Sequence, residues 1–116
     1  MIEMRPLPLD GGTAVGVTVD LPGTRLVVAA VPAGYIMCGA LDVALLDRLL
    51  ASRHVVAGRA LGVRTLDDLL SRPLESVTAA ARAAGLHEGM PGAEALQRLL
   101  ALEPAAISPG SPASRP

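Results

Sequence analysis

Two different periods run along the chain. From Thr13 to Asp20 the residues alternate, with Ala14, Gly16, Thr18 and Asp20 on one side and Val15, Val17 and Val19 on the other. That is the period-two pattern of a half-buried strand. Turn residues bracket it: Asp10-Gly11-Gly12 before it, and Leu21-Pro22-Gly23 after it, where Pro22 and Gly23 suit the centre of a type II turn. A second strand over Arg25 to Val31 meets Pro32-Ala33-Gly34, and Tyr35 to Cys38 returns as a third. With an initial strand around Met4 to Leu9, the pattern predicts an antiparallel meander of about four strands.

Beyond residue 40 the period lengthens. Leu41, Leu45, Leu46, Leu49 and Leu50 form one stripe, with Asp47 and Arg48 away from it, which predicts a helix from Asp42, its N-cap, to Ser52. Residues 54–63, HVVAGRALGV, are rich in Val and Gly and read as one more buried strand. Thr65 followed by Asp68 is a relative of the capping box and opens a short helix through Leu70 that must stop before Pro73. Two further helices are expected over Ser76 to Ala84 and Pro91 to Leu102. The spacing therefore predicts a single α+β domain over residues 1–102, a meander of about four strands plus one further strand packed with three to four helices. The Pro- and Ser-rich tail, 103–116, lacks periodicity and is expected to be disordered.

Composition narrows the function. The 116 residues are 51% hydrophobic without a Phe or Trp, so the core must be built from aliphatic and small side chains. All ten basic residues are Arg and balance against eleven acids to a net charge of -1, which argues against the electropositive face that nucleic acid requires. The start, MIEMRPLPLD, has no apolar segment of a secretory signal, and the longest uncharged run, Leu26 to Leu41, is too short and too broken by Pro32 and Gly34 to span a membrane. A soluble cytoplasmic protein is the expectation. One cysteine forms no internal disulfide, which agrees with a reducing compartment.

Cys38 is the sharpest chemical candidate. It stands just before the step into the helix at Asp42, and a helix N-terminus favours a thiolate, although the Asp42 carboxylate opposes it. A thiol nucleophile needs a base, and the chain offers only His54 and His87, at no spacing tied to a known dyad. Burial as a small core residue is the competing reading. Tyr35, the sole aromatic ring, shares a strand face with Met37 and lies opposite Cys38. Arg59 interrupts an apolar run, so it either pairs with Asp42 or Glu75, lies at a subunit contact, or joins Arg64 near the Thr65 cap to bind an anion. Glu75 beside Ser76 reads as a charge at a helix start. No spacing suits a metal, a nucleotide loop or a recognition helix, so no cofactor is expected.

Three blocks, GYIMCGALDVALL at 34–46, AGRALGVRTLDDLL at 57–70 and PLESVTAAARAAGLHEGMPGAEAL at 73–96, resemble the YunC-like family of small bacterial and archaeal proteins, a domain of unknown function. The resemblance covers about residues 4 to 101. It implies a compact α+β domain and brings no catalytic residues with it. His54 departs from the pattern, standing where a Gly or small polar residue is expected, and the tail lies beyond the family domain.

Two functional readings follow. One is a non-catalytic module that binds a protein or a small molecule, with a homo-oligomer and a small anionic ligand as the expected partners, and with Tyr35, Asp42, Arg59 and Arg64 as candidate contacts. The Ala-rich TAAARAAG segment, which permits close packing, supports it. The other is a thiol-dependent enzyme with Cys38 as nucleophile, Gly39 and Ala40 amides as oxyanion donors, Asp42 as orienter and Arg59 holding an anionic substrate.

Overall fold

A computed structural model describes residues 1–39 and 54–102. The expected helix at Asp42 to Ser52 and the tail from 103 lie outside the described residues. The described chain forms one six-stranded mixed sheet in sequential order, with three helices. β1 (Ile2–Leu9), β2 (Gly12–Leu21), β3 (Thr24–Val31) and β4 (Gly34–Met37) make the antiparallel meander. β5 (Ala57–Arg59) joins β4 in parallel, and β6 (Ser76–Val77) pairs antiparallel with β5. α1 (Leu66–Ser71), α2 (Ala79–Ala83) and α3 (Gly92–Leu100) complete the fold.

Turn chemistry sets the meander. Asp10-Gly11 links the pair Leu9 and Gly12, Pro22-Gly23 links Leu21 and Thr24, and in both turns the second residue is a glycine at positive φ, 93° and 78°. A side chain is strained in that region of backbone space, which is why both turns carry Gly there.

The alternation in β2 resolves in favour of its smaller side. Ala14 and Gly16 are buried beneath the helices, while Val15 on the other side is 44% exposed. The reason is distance. At Gly16 a Cβ would stand 2.7 Å from a methyl of Leu66 on α1 and 2.9 Å from one of Leu7, so α1 can seat on the sheet only over a residue without a side chain. One register row, Gly16, Ala29, Ile36, Gly58 and Val77, runs across five strands on this helix-bearing face. Ile36, Leu69, Leu96 and Leu99 fill the space between sheet and helices.

Helix starts follow the cap rules. The Thr65 hydroxyl accepts the Asp68 amide at 3.0 Å, and the Asp68 carboxylate accepts the Arg64 amide at 3.2 Å. Two expectations shift. Residues 54–63 supply only the three residues of β5, after which the chain turns at Leu61-Gly62, with Gly62 at φ 75°. Ser76 does not cap a helix: Ser76 and Val77 form β6, and Thr78 is the N-cap of α2. Glu75 therefore meets Arg59 rather than a helix end. His54 sits at φ 51°, the only non-glycine residue at positive φ among the described residues, at the position where the family pattern calls for Gly or a small polar side chain.

Candidate functional site

The side of the sheet away from α1 and α3 carries an unusual surface. Its central register row reads Met4, Val17, Val28, Met37 and then Arg59. The neighbouring row begins Ile2, Val19 and Leu26. Over β1, β2 and β3 this face holds no charged residue, because strand alternation sends Glu3, Arg5, Asp20 and Arg25 to the helix-bearing side. Ile2 is 69% and Met4 66% exposed, and Val17, Val19 and Val28 are half-buried. Soluble domains ordinarily reverse this arrangement, placing charge outward and apolar side chains inward.

At the β4–β5 end the same face becomes polar. Tyr35 and Met37 pack on the buried Ala57, and burial pushes the Tyr35 hydroxyl above its ordinary pKa. Arg59 pairs with Glu75 at 2.7 Å. The Ser76 hydroxyl donates to the same carboxylate at 2.8 Å, and this bond, followed by that of Arg59, holds Glu75 below the usual carboxylate range. The structure thus places Tyr35 and Arg59 on one face.

Arg64 lies on the other side. It lines a polar groove of about 340 Å³ between α1 and the ends of β1, β2 and β3. There Arg5 faces Asp67 at 3.6 Å, and Arg25 bonds Asp20 at 2.6 Å and the Arg64 carbonyl at 3.2 Å. Glu3, Asp20 and Asp67 match Arg5, Arg25 and Arg64 in number, so the groove has little bias toward an anion. Arg59 and Arg64 face opposite sides of the sheet and do not converge on one ligand.

Cys38 belongs to the core. It follows β4 on the helix-bearing face, is 5% exposed, and exchanges hydrogen bonds with Val27: its amide donates to the Val27 carbonyl at 3.0 Å and its Sγ accepts the Val27 amide at 3.5 Å. His87 uses Nδ1 on the Glu88 carbonyl, and His54 is exposed on its turn. Asp42 and Ala40, assigned to the thiol mechanism above, lie outside the described residues. Among the described residues no group of three or more His, Cys, Asp or Glu side chains could hold a metal ion, and no helix is long and apolar enough to cross a membrane.

The apolar face is what sequence reasoning missed. Its signal was present in the valine side of β2, but alternation marks two faces without saying which one the helices cover.

Comparison with known proteins agrees with this architecture. The family described as Domain of unknown function (DUF1805) matches residues 37–99. The chain is 52% identical to Uncharacterized protein YunC of Bacillus subtilis (strain 168) over 100 residues, covering 86% of this chain and 99% of that protein. The fold is similar to the crystal structure of a protein of unknown function, TA1206 from Thermoplasma acidophilum. The TM-score is 0.75 at 25% identity, over 85% of this chain and 93% of the other.

Proposed function

The chain belongs to the DUF1805 family, and from that premise we propose that it is a non-catalytic binding module whose working surface is the uncharged, helix-free face of its sheet. One observation carries the reading: Ile2, Met4 and Val15 stand 69%, 66% and 44% exposed on a face from which every charge of β1 to β3 is excluded. Apolar area left in water is unfavourable by about 25 cal/mol per Å², so covering such a face is a source of binding free energy. The placement of Cys38 supports the same reading, since its sulfur is buried and engaged with the backbone. A nucleophile needs access and a base within hydrogen-bond reach.

The reaction of Cys38 with iodoacetamide tests the choice between binding and thiol chemistry. In the folded protein the thiol is expected to be modified at least about 100 times more slowly than in the unfolded chain, because reaction must wait for opening of the core. Rapid modification of the folded protein, with an apparent pKa below about 7, would replace the binding reading with thiol chemistry.

A further inference from the structure

Building on the binding reading, we infer that the occupant of the helix-free face is a second copy of this chain, docked sheet on sheet about a two-fold axis. Three features of the face select that partner. The first is its size. The eight paired residues of β1 and β2 make a face about 27 Å long, and four strands about 4.8 Å apart make it about 19 Å wide. Two such faces bury roughly 1,000 Å² together, which reaches the area that a specific interface requires.

The second is charge. An isologous interface sets each residue near the axis against its own copy, so a charge there would meet itself. The row Met4, Val17, Val28 and Met37 has none, and the first charge along it, Arg59, already carries its own counter-ion in Glu75. A strongly charged partner would leave its charges desolvated and unpaired on this surface.

The third is the edge. β1 is a terminal strand, and strands at sheet edges commonly recruit a further strand. Here Pro6 and Pro8 pair with Val15 and Thr13, positions a proline can hold only with its nitrogen turned away from the ladder. The outer edge of β1 therefore lacks two of the donors that a continuing strand would need. Face packing remains, in the aligned manner of two sheets about 10 Å apart.

Sedimentation equilibrium of the full chain, beside Val17→Asp and Val15→Arg, tests this. The wild type is expected to be a dimer, and each variant is expected to weaken dimerisation by a factor of about 100 or more, since a like charge is placed against its own copy. Circular dichroism and cooperative unfolding are expected to be retained, because both side chains lie on the solvent side of the sheet. A wild-type dimer that persists in both folded variants would overturn the inference by placing the contact elsewhere. A wild type that stays monomeric overturns it too, and an apolar fluorescent dye then separates the two claims. Dye bound by the wild type and lost in Val17→Asp leaves the face a binding surface for a different partner, whereas no dye binding removes the binding reading as well.

Discussion

Replacing Thr78 by valine lowers the stability of the domain by about 3 kcal/mol, whereas Thr78→Ser costs about 1 kcal/mol or less. Thr78 is 1% exposed, and its hydroxyl makes three hydrogen bonds that tie separate parts of the chain together. It accepts the Ala57 amide of β5 at 3.2 Å and the Ala81 amide in the first turn of α2 at 3.2 Å, and it donates to the Val55 carbonyl at 2.6 Å. The Thr78 amide adds a fourth tie, to the Ala57 carbonyl at 2.9 Å. Valine has nearly the same shape, so packing is conserved and the loss isolates the hydroxyl. Leaving a buried polar group unpaired costs about 1–3 kcal/mol, and the Ala57 amide sits in a fully buried residue, so it dominates the sum. Serine keeps all three bonds and loses one methyl. Denaturant unfolding of the three proteins measures the difference. Equal stability of the valine variant and the wild type would show that the hydroxyl is not holding β5 to α2.

Gly92→Ala is the second large effect, and it runs against helix propensity. Alanine within a helix is favoured over glycine by about 1 kcal/mol. At the first residue of α3, however, a Cβ would collide with the backbone carbonyl of Leu69 on α1 and stand 2.8 Å from a methyl of Ile36. A flexible side chain could move aside, but a carbonyl inside a helix cannot, and the Gly92 amide is itself anchored to the Arg72 carbonyl at 3.1 Å. Either α1 and α3 separate or both tilt, and overpacking of that kind costs about 1–3 kcal/mol, occasionally more. The net expectation is a loss of about 2 kcal/mol, or roughly 10 °C in Tm for a domain of this size. A melting temperature equal to or above that of the wild type would mean that the α1–α3 contact yields easily.

These two sites also show what could be read from sequence. Gly92 carries no local signal, because the clash that requires glycine comes from a helix some twenty residues earlier. Thr78 was hidden by its neighbour: Ser76 and Thr78 are both good caps, and only the pairing of Ser76 with Arg59 makes the upstream residues a strand. Where the information is local, sequence sufficed. The two-residue turns of the meander, the Thr65 cap and the end of α1 before Pro73 are each set by one or two residues acting on their own backbone. The placement of Arg59 beside Glu75 was among the readings open from the outset, since a charge inside an apolar run needs a partner. What alternation withheld was the direction of the sheet. The helices chose the side of Ala14 and Gly16 because close packing needs small residues beneath it, and that choice turned the valines outward.

The four methionines supply the most direct test of that outward face as an occupied surface. Met4 is 66% exposed on the helix-free side, Met1 is 82% exposed beside the groove on the opposite side, and Met90 is 1% exposed in the core. Oxidation by dilute peroxide, read by mass spectrometry, reports each in the same sample. At concentrations where the wild type is associated, Met4 is expected to react several-fold more slowly than Met1, and in Val17→Asp to approach the rate of Met1, with Met90 protected in both. Equal reactivity of Met4 and Met1 in the wild type at every concentration would contradict the account, because the face would then stand open to water.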